Sequence, residues 1–326
     1  MSAAPTEIAV HRHEPRGRMG FFTDTTVCIG CKSCEVACKQ WNDLPADGYD
    51  FGKGRSFDHT GSLSASTWRH VHLVEIAPPR EQEREAARAA LGAGAGGRLP
   101  NIPATGTLPQ QSEDVDLVAL ADGGALPEAG MDRWLFASDV CKHCANAGCL
   151  DACPTGALVR TEFETVIVQP DVCNGCGYCV TACPFGVIDR DPYDGRAAKC
   201  TLCYDRLQDG MEPACAKACP TDSIQFGPYE ELVERAKGRV LELHDRGLDT
   251  AYLYGAADEG ADQLAGGLGA FFLLTEPPER FGLPAHADSP IQANMPVATA
   301  AGLAAGVTAA ATAVVSLLIA HRRRRR

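Results

Sequence analysis

Sixteen cysteines fall into four groups of four in this 326-residue chain, and none is left over. The groups are Cys28/Cys31/Cys34/Cys38, Cys141/Cys144/Cys149/Cys153, Cys173/Cys176/Cys179/Cys183 and Cys200/Cys203/Cys215/Cys219. Each group opens with Cys-x2-Cys, and three of the four end in Cys-Pro. Such spacing is typical of thiolates that bind the irons of [4Fe–4S] clusters. The sequence therefore predicts four [4Fe–4S] clusters, with all sixteen cysteines as iron ligands.

The spacing has a mechanical reason, because each iron of a cube takes one thiolate. Three closely spaced cysteines can curl around one corner of a cube, while the fourth points away and enters the neighbouring cluster. Gly30, Gly175 and Gly177 lie inside these loops, where the lack of a side chain lets the backbone approach closely. A proline after the last cysteine stops a regular backbone ladder from continuing.

Three other uses of the cysteines fit the sequence less well. An even cysteine count permits disulfides, but Cys-x2-Cys pairs are poor disulfide partners and a chain of this length can build a core without them. Structural zinc sites pair two Cys-x2-Cys units and do not need the additional cysteines found here. A mixed set with one [3Fe–4S] cluster would require a missing ligand, and every position holds cysteine.

Bacterial-ferredoxin logic pairs two motifs per small domain, each lending its last cysteine to the other. Groups two and three are adjacent, so groups one and four are expected to pair around them. The predicted ligand sets are Cys28, Cys31, Cys34 and Cys219 (cluster 1); Cys38, Cys200, Cys203 and Cys215 (cluster 2); Cys141, Cys144, Cys149 and Cys183 (cluster 3); and Cys153, Cys173, Cys176 and Cys179 (cluster 4). The alternative, in which group one pairs with two and three with four, follows sequence order but must span about a hundred residues.

The composition restricts the class of protein. The formal net charge is −12, which argues against a nucleic-acid partner. Aromatic residues make up only 6%, so clusters rather than a large aromatic core are expected to organise the fold. Metal binding and folding should then be coupled, and we expect the apo chain to be largely unfolded.

A segment without charge begins at Val297 and ends at Ala320. As a helix it would be about 36 Å long, which exceeds the roughly 30 Å of bilayer hydrocarbon. The segment is rich in alanine, so a soluble helix or a disordered tail is the alternative. A stripe of small residues at a spacing of four favours a membrane helix that packs closely on a partner. The stripe consists of Ala298, Gly302, Gly306 and Ala310.

The flanks of this segment predict its orientation. His321 and five consecutive arginines follow it, which is expected to keep the C-terminus in the cytoplasm and the cluster domain on the outer face. Residues 1–20 show neither an apolar run nor a twin-arginine pair. Because clusters are loaded in the cytoplasm, we expect the protein to cross the membrane folded, together with a partner that carries the export signal.

The predicted fold class is α+β, with two nested ferredoxin-like domains and one C-terminal transmembrane helix. Strands are expected at 69–76, 166–168 and 271–274, and a helix at 229–245. A strand, a cluster loop and a helix are expected to repeat about every thirty residues. The predicted regions are a leader (1–20), domain A (21–77 and 196–229), a low-complexity insertion with one helix at 80–91 (78–130), domain B (131–195), a C-terminal extension (230–290) and the anchor with its basic tail (291–326).

Several segments together carry a resemblance to a known family. They are 28–34 (CIGCKSC), 41–43 (WND), 174–179 (NGCGYC), 183–185 (CPF), 199–206 (KCTLCYDR) and 212–215 (EPAC). They resemble the iron–sulfur (beta) subunit of membrane-bound respiratory formate dehydrogenase, within the four-cluster subunits of molybdopterin oxidoreductases. The likeness covers most of 21–290 and extends to the C-terminal helix. The 78–130 insertion is longer than the family pattern suggests.

This resemblance implies an electron-transfer subunit without a substrate site of its own. Electrons would pass from a molybdopterin catalytic subunit (molybdenum or tungsten) that oxidises formate to a membrane cytochrome b and quinone. The domain of groups one and four would face the catalytic subunit, and that of groups two and three the membrane. The same four-cluster pattern serves hydrogenases and polysulfide or dimethyl sulfoxide reductases, which stay open as alternatives. The nitrate reductase variant has tryptophan at the position of Cys176, which argues against it.

A stand-alone reductase would need a cluster with an open iron site or a cofactor motif, and the sequence offers neither. No Ser/His/Asp set, phosphate loop or paired acid/base site stands out. His143 is predicted to tune a cluster potential through a hydrogen bond or charge. Positive charges beside the cluster loops would raise potentials, unless they are ordinary solvated lysines. The lysines concerned are Lys32, Lys142 and Lys199, and Arg206 could pair with a carboxylate of a partner.

Overall fold

The computed structural model describes residues 17–49, 58–76, 133–257 and 264–325. Within them the strands are β1 (Met19–Asp24), β2 (Arg69–Ile76), β3 (Arg133–Val140), β4 (Leu158–Arg160), β5 (Val166–Val168), β6 (Asp189–Arg190), β7 (Ala197–Ala198), β8 (Ile224–Pro228), β9 (Tyr252–Tyr254) and β10 (Ala270–Leu274). The α-helices are α1 (Ser33–Trp41), α2 (Gly148–Asp151), α3 (Tyr178–Thr181), α4 (Tyr204–Gln208), α5 (Ala214–Lys217), α6 (Tyr229–Asp245) and α7 (Pro290–Arg324). This is a mixed helix and strand architecture.

A four-stranded sheet joins the two ends of the cluster-bearing part of the chain. Its order is β8-β1-β10-β9, with β1 parallel to β10 and antiparallel to β8. In the register, Phe21 lies opposite both Ala270 and Phe226. Strand β1 begins at Met19, inside the segment predicted as a leader. Strands β9 and β10 belong to the predicted C-terminal extension, so that segment shares a sheet with the first strand.

Helix α6 covers one face of this sheet. Its buried side chains, Leu232 among them, meet Phe22 and Phe271, whose rings stack with centroids 5.4 Å apart. The Tyr229 hydroxyl accepts a 2.8 Å hydrogen bond from the backbone N–H of Ala257, which fixes the start of the helix. Acidic residues in the first turn suit the positive end of the helix dipole. The helix predicted at 229–245 is confirmed, as are the strands at 69–76, 166–168 and 271–274.

Strands β2 and β3 form a separate antiparallel ribbon in which Arg69 lies opposite Val140 and Ile76 opposite Arg133. Residues 77–132 connect the two strands, and the strands pair up to the last residue of β2 and the first residue of β3. The predicted insertion at 78–130 and its helix at 80–91 lie outside the described residues. Ser138 of the ribbon contacts the Cys34 sulfur of group one at 3.2 Å, and Arg69 lies near cysteines of groups one and four.

Helix α7 is long and apolar enough to cross a membrane, with a mean hydropathy of 2.1 over its most apolar 18-residue window. It is 35 residues long and contains the uncharged segment predicted as a membrane span. None of that window is buried against the rest of the protein. Near its start, Gln292 donates a 3.1 Å hydrogen bond to Asp151 of α2, which connects the helix to the second cysteine group.

Candidate iron–sulfur cluster sites

All sixteen cysteines are described, and every one is a free thiol. The disulfide alternative is therefore wrong for this structure. Among the described residues, no group of three or more histidine, cysteine, aspartate or glutamate side chains is placed to hold a single metal ion. A tetrahedral zinc site would draw its ligands around one point. Eight of the cysteines instead line two pockets, four in each, as ligands of a polynuclear cluster would.

The four cysteine loops share one backbone feature that sets their shape. The residue two positions after the first cysteine of each group has a left-handed conformation. These residues are Gly30 (φ 66°), His143 (φ 44°), Gly175 (φ 73°) and Leu202 (φ 59°). Such a residue reverses the chain between the first two cysteines and turns successive N–H groups toward one side. A helix of one turn or more follows within each group, in agreement with the predicted internal repeat.

One cavity brings group one together with the last cysteine of group four. Cys28, Cys31, Cys34 and Cys219 line it together with Ser138. The Ser138 hydroxyl from β3 lies 3.2 Å from the Cys34 sulfur. Burial raises the pKa of the Cys28 thiol, and the negative charges of Cys219 and Cys31 add to that rise. Cys31 alone among these four ligand candidates is exposed.

A second cavity brings group two together with the last cysteine of group three. Cys141, Cys144, Cys149 and Cys183 line it together with His143 and Lys199. Its remaining walls are mostly apolar and include Phe185. Burial raises the pKa of the Cys149 thiol to about 12, whereas the nearby Lys199 charge lowers it.

The remaining eight cysteines lie in two further sets. Cys38, Cys200, Cys203 and Cys215 are all buried. The pKa of Cys38 is raised to about 12. Burial is the largest cause, and the negative charges of Cys215 and Cys203 raise this pKa further. The pKa of Cys179 is likewise raised to about 11, mainly by burial. The negative charges of Cys173, Cys153 and Cys176 are the further causes. Each set is thus close enough for its members to interact electrostatically.

The four sets also lie next to one another in a definite order. Besides burial, the charge of Cys215 raises the pKa of Cys34, which connects the first set to the second. The charge of Cys141 contributes to the raised pKa of Cys200, which connects the second set to the third. The charge of Cys179 likewise contributes to the raised pKa of Cys149, which connects the third set to the fourth. A continuous series of neighbouring sites results.

Two lysines beside the cysteine loops are buried rather than solvated. The Lys142 ammonium pairs with Asp139 and donates a 2.8 Å hydrogen bond to the carbonyl of Val140. The Lys199 ammonium donates to the carbonyls of Val166 and, at 2.9 Å, Cys200. No carboxylate among the described residues forms an ion pair with Lys199. A buried cation needs nearby negative charge, and an iron–sulfur cluster held by the thiolates of the second cavity would provide it.

His143 is held as a neutral hydrogen-bond donor at the second cavity. Its Nδ1 accepts a 3.1 Å hydrogen bond from the backbone N–H of Val166, so the ring proton lies on Nε2. Burial, followed by the positive charge of Lys199, keeps the pKa of His143 well below its usual value. The buried Nε2 has no partner among the described residues. A free donor on this wall suits a cluster, whose sulfur atoms accept hydrogen bonds.

Arg206 and Lys32 have partners within the chain. The Arg206 guanidinium lies 4.2 Å from the centre of the Trp41 ring and donates to the carbonyl of Glu212 at 2.6 Å. The Trp41 indole donates a 2.8 Å hydrogen bond to Asp205. These contacts connect α1 of group one to α4 of group four. Lys32 lies 3.4 Å from Asp58, so its charge is already paired.

Sequence reasoning missed two residues close to the sulfur atoms, Arg69 in β2 and Ser138 in β3. Arg69 is only 1% exposed although arginine is rarely buried. One signal could have found it: the alternation of a strand places Arg69 on the same face as the apolar Val71. Ser138 gave no signal, because its contact depends on the ribbon register across the long connection.

Comparison with known proteins shows that the cysteine loops are similar to those of 4Fe-4S dicluster domains. Two family models for a 4Fe-4S dicluster domain match, at residues 27–157 and 132–229. The formate dehydrogenase-O iron–sulfur subunit of Escherichia coli K12 is 35% identical over 239 residues, which cover 73% of this chain and 62% of the relative. The formate dehydrogenase iron–sulfur subunit of Haemophilus influenzae is 34% identical over 232 residues, which cover 71% and 58%. The alignments thus span less than two thirds of these relatives.

Relatives with lower sequence identity belong to a different enzyme, a dimethyl sulfoxide reductase. One subunit of the anaerobic dimethyl sulfoxide reductase of Escherichia coli K12 is 29% identical over 213 residues. That alignment covers 65% of this chain and 75% of the relative.

The Gly30→Ala substitution should impair the first cysteine loop. A Cβ at Gly30 would lie 2.5 Å from the ring of Phe136, in addition to the strain of a left-handed alanine. Gly156 has a similar φ of 68° but open space around its Cβ position. We expect Gly30→Ala to lower the iron content per chain and Gly156→Ala to leave it nearly unchanged. Partial recovery of iron in Gly30→Ala/Phe136→Leu would identify the clash as the cause, and equal iron loss in both single variants would contradict it.

Proposed function

Because this chain is a homologue of formate dehydrogenase iron–sulfur subunits and contains 4Fe-4S dicluster domains, we propose that it is an electron-transfer subunit with four [4Fe–4S] clusters. The single observation that carries the proposal is the arrangement of all sixteen cysteines in four neighbouring sets. When bound, such clusters accept and release single electrons. The chain itself supplies the ligands, excludes water and places compensating charge.

The proposed ligand sets are those expected from ferredoxin pairing. They are Cys28, Cys31, Cys34 and Cys219; Cys38, Cys200, Cys203 and Cys215; Cys141, Cys144, Cys149 and Cys183; and Cys153, Cys173, Cys176 and Cys179. The two cavities support the first and third sets, and the mutual effects of the thiols on their pKa values support the second and fourth. Nested ferredoxin-like domains, with groups two and three inserted between groups one and four, follow from these sets.

The two outer sites of the series each have an exposed ligand, which suits them to exchange electrons with other subunits. Cys31 is exposed at one end, beside the exposed side chain of Ile29. Cys176 is exposed at the other, beside Tyr178. The set that contains Cys38 is buried throughout. We propose that a molybdopterin catalytic subunit docks at the Cys31 end, and a membrane cytochrome b that reduces quinone at the Cys176 end.

A different catalytic subunit is the second candidate. The dimethyl sulfoxide reductase relative shows that similar chains serve other complexes. Purification of the protein from membranes in mild detergent, followed by mass spectrometry of its partners, decides between them. A molybdopterin formate dehydrogenase supports the first candidate. Another reductase or a hydrogenase would keep the electron-transfer role and replace the donor.

The pairing of the cysteine groups can be tested with three Cys→Ser variants. In the nested arrangement, Cys219→Ser and Cys31→Ser perturb the same cluster, because both residues bind it. In the sequential arrangement, Cys219→Ser instead perturbs the cluster that Cys176→Ser perturbs. Redox-poised electron paramagnetic resonance (EPR) of the purified complexes distinguishes the two. Spectra of Cys219→Ser that match those of Cys176→Ser would rule out the proposed sets.

The direction of electron flow predicts a split phenotype for Cys176→Ser. We expect formate oxidation with a soluble dye to persist and quinone reduction to be lost, because only the exit side of the series is damaged. Asp171→Ala, an exposed change in the same loop, should preserve both activities. Persistence of quinone reduction in Cys176→Ser would show that the proposed order of sites is wrong.

We propose that α7 anchors the chain, with its arginine-rich end in the cytoplasm and the cluster domains on the outer face. The apolar character of α7 and the basic residues in its last turn support this orientation. Protease added to right-side-out spheroplasts should digest an epitope placed in α6 and spare one placed after Arg326. Permeabilised cells, in which both epitopes are accessible, provide the control. An α6 epitope that survives until permeabilisation would reverse the orientation.

A further inference from the structure

Arg69 is a fully buried guanidinium whose hydrogen-bonding capacity is only partly used. Its Nη1 donates to the carbonyl and to the hydroxyl of Ser138, both at 3.2 Å. Its Nε and Nη2 are buried without a partner among the described residues. Buried polar groups are nearly always hydrogen-bonded, so two unused donors on one charged side chain need an explanation.

The surroundings of Arg69 contain thiols rather than carboxylates. No carboxylate in the described part of the chain forms an ion pair with it, and one side of the guanidinium faces the Phe21 ring at 4.8 Å. Burial alone would lower the pKa of Arg69, but four neighbouring cysteines raise it. In order of decreasing effect they are Cys215, Cys34, Cys200 and Cys38. Cys34 belongs to the first proposed ligand set, and the other three belong to the second.

Arg69 therefore lies between the first two cluster sites and acts on both. Its positive charge opposes the burial that raises the pKa of Cys34 to about 11 and that of Cys38 to about 12. Ser138, which accepts the hydrogen bonds of Nη1, also contacts the Cys34 sulfur at 3.2 Å. The β2–β3 ribbon thus holds the guanidinium in a fixed position relative to the sulfur ligands.

We propose that Arg69 is the shared counter-charge of the first two clusters, and that its Nε–H and Nη2–H groups donate hydrogen bonds to their sulfur atoms. A fixed positive charge stabilises the reduced form of a cluster more than the oxidised form, which is more positive by one charge. Arg69 should therefore raise both reduction potentials. Arginine suits this position because it stays charged when buried and offers donors in several directions.

This role differs from that of the buried lysines. Lys142 pairs with Asp139, so its charge is largely compensated within the protein. Lys199 lines the second cavity and affects Cys149, a ligand of the proposed third cluster. Arg69 differs from both lysines because it acts on thiols of the first and second sets and has no carboxylate partner among the described residues.

The test is a redox titration, followed by EPR, of complexes purified with Arg69→Gln, Arg69→Lys or Lys199→Gln. With Arg69→Gln we expect two of the four midpoint potentials to fall, and these should be the two assigned to the clusters of Cys31 and Cys203 by their serine variants. Arg69→Lys keeps the charge and should stay closer to the unsubstituted protein. Lys199→Gln should lower the potential of the third cluster and leave that of the first, the cluster of Cys31, unchanged, because Lys199 contacts Cys200 of the second set but no residue of the first.

Iron content separates a charge effect from a packing effect. Loss of iron in Arg69→Gln but not in Arg69→Lys would support the need for a positive charge. Loss of iron in both variants would assign Arg69 to packing and overturn the proposal, as would unchanged midpoint potentials in a fully loaded Arg69→Gln complex. The inference rests on the proposed ligand sets, but its failure is distinguishable: the unsubstituted complex would still show four clusters, and Cys31→Ser would still match Cys219→Ser.

Discussion

The sulfur atoms of the sixteen proposed iron ligands would have to be ionised to bind iron, and many of them lie in an interior that tolerates negative charge poorly. Burial alone raises their pKa values, as at Cys38, where the value reaches about 12. Buried cations act against this effect, as Arg69 does at Cys34 and Cys38 and Lys199 at Cys149, and bound iron would act in the same direction. Arg69, Lys142 and Lys199 are among the largest fully buried side chains, an unusual composition for a protein core. The stability of the interior therefore depends on charge balance between ligands, metal and these three residues.

The spatial order of the cysteine groups differs from their order along the chain. Group four lies next to group one, and only then do groups two and three follow, as the effects among Cys34, Cys215, Cys200 and Cys141 indicate. The contact between Trp41 and Arg206 supports the same neighbourhood from outside the cysteine loops. A protein with consecutive domains would not place Cys34 beside Cys215. This neighbourhood supports the proposed insertion of one pair of groups within the other, which would give a series of sites that begins and ends at exposed cysteines.

Much of this arrangement could be predicted from local patterns. Alternation identified β2 and helical periodicity identified α6, because each has one buried face. Cysteine spacing led to the proposed ligand sets, two of which line the cavities. The parallel pairing of β1 with β10 could not be predicted, since partner choice across the chain leaves no local pattern. Arg69 was overlooked for a related reason: its counter-charges belong to groups one and four, which only the folded chain brings beside β2.

The pairing of β1 with β10 also has a consequence for biosynthesis. The Thr25 hydroxyl donates a 2.7 Å hydrogen bond to the carbonyl of Leu273, which follows it by 248 positions. The first strand therefore emerges long before its neighbours in the sheet exist. Groups two and three are complete much earlier, within a compact stretch of chain. In the proposed ligand sets, the third and fourth clusters have all their ligands once Cys183 is made, so they should be filled before the first and second, which await Cys219 and the closing of the sheet by β10.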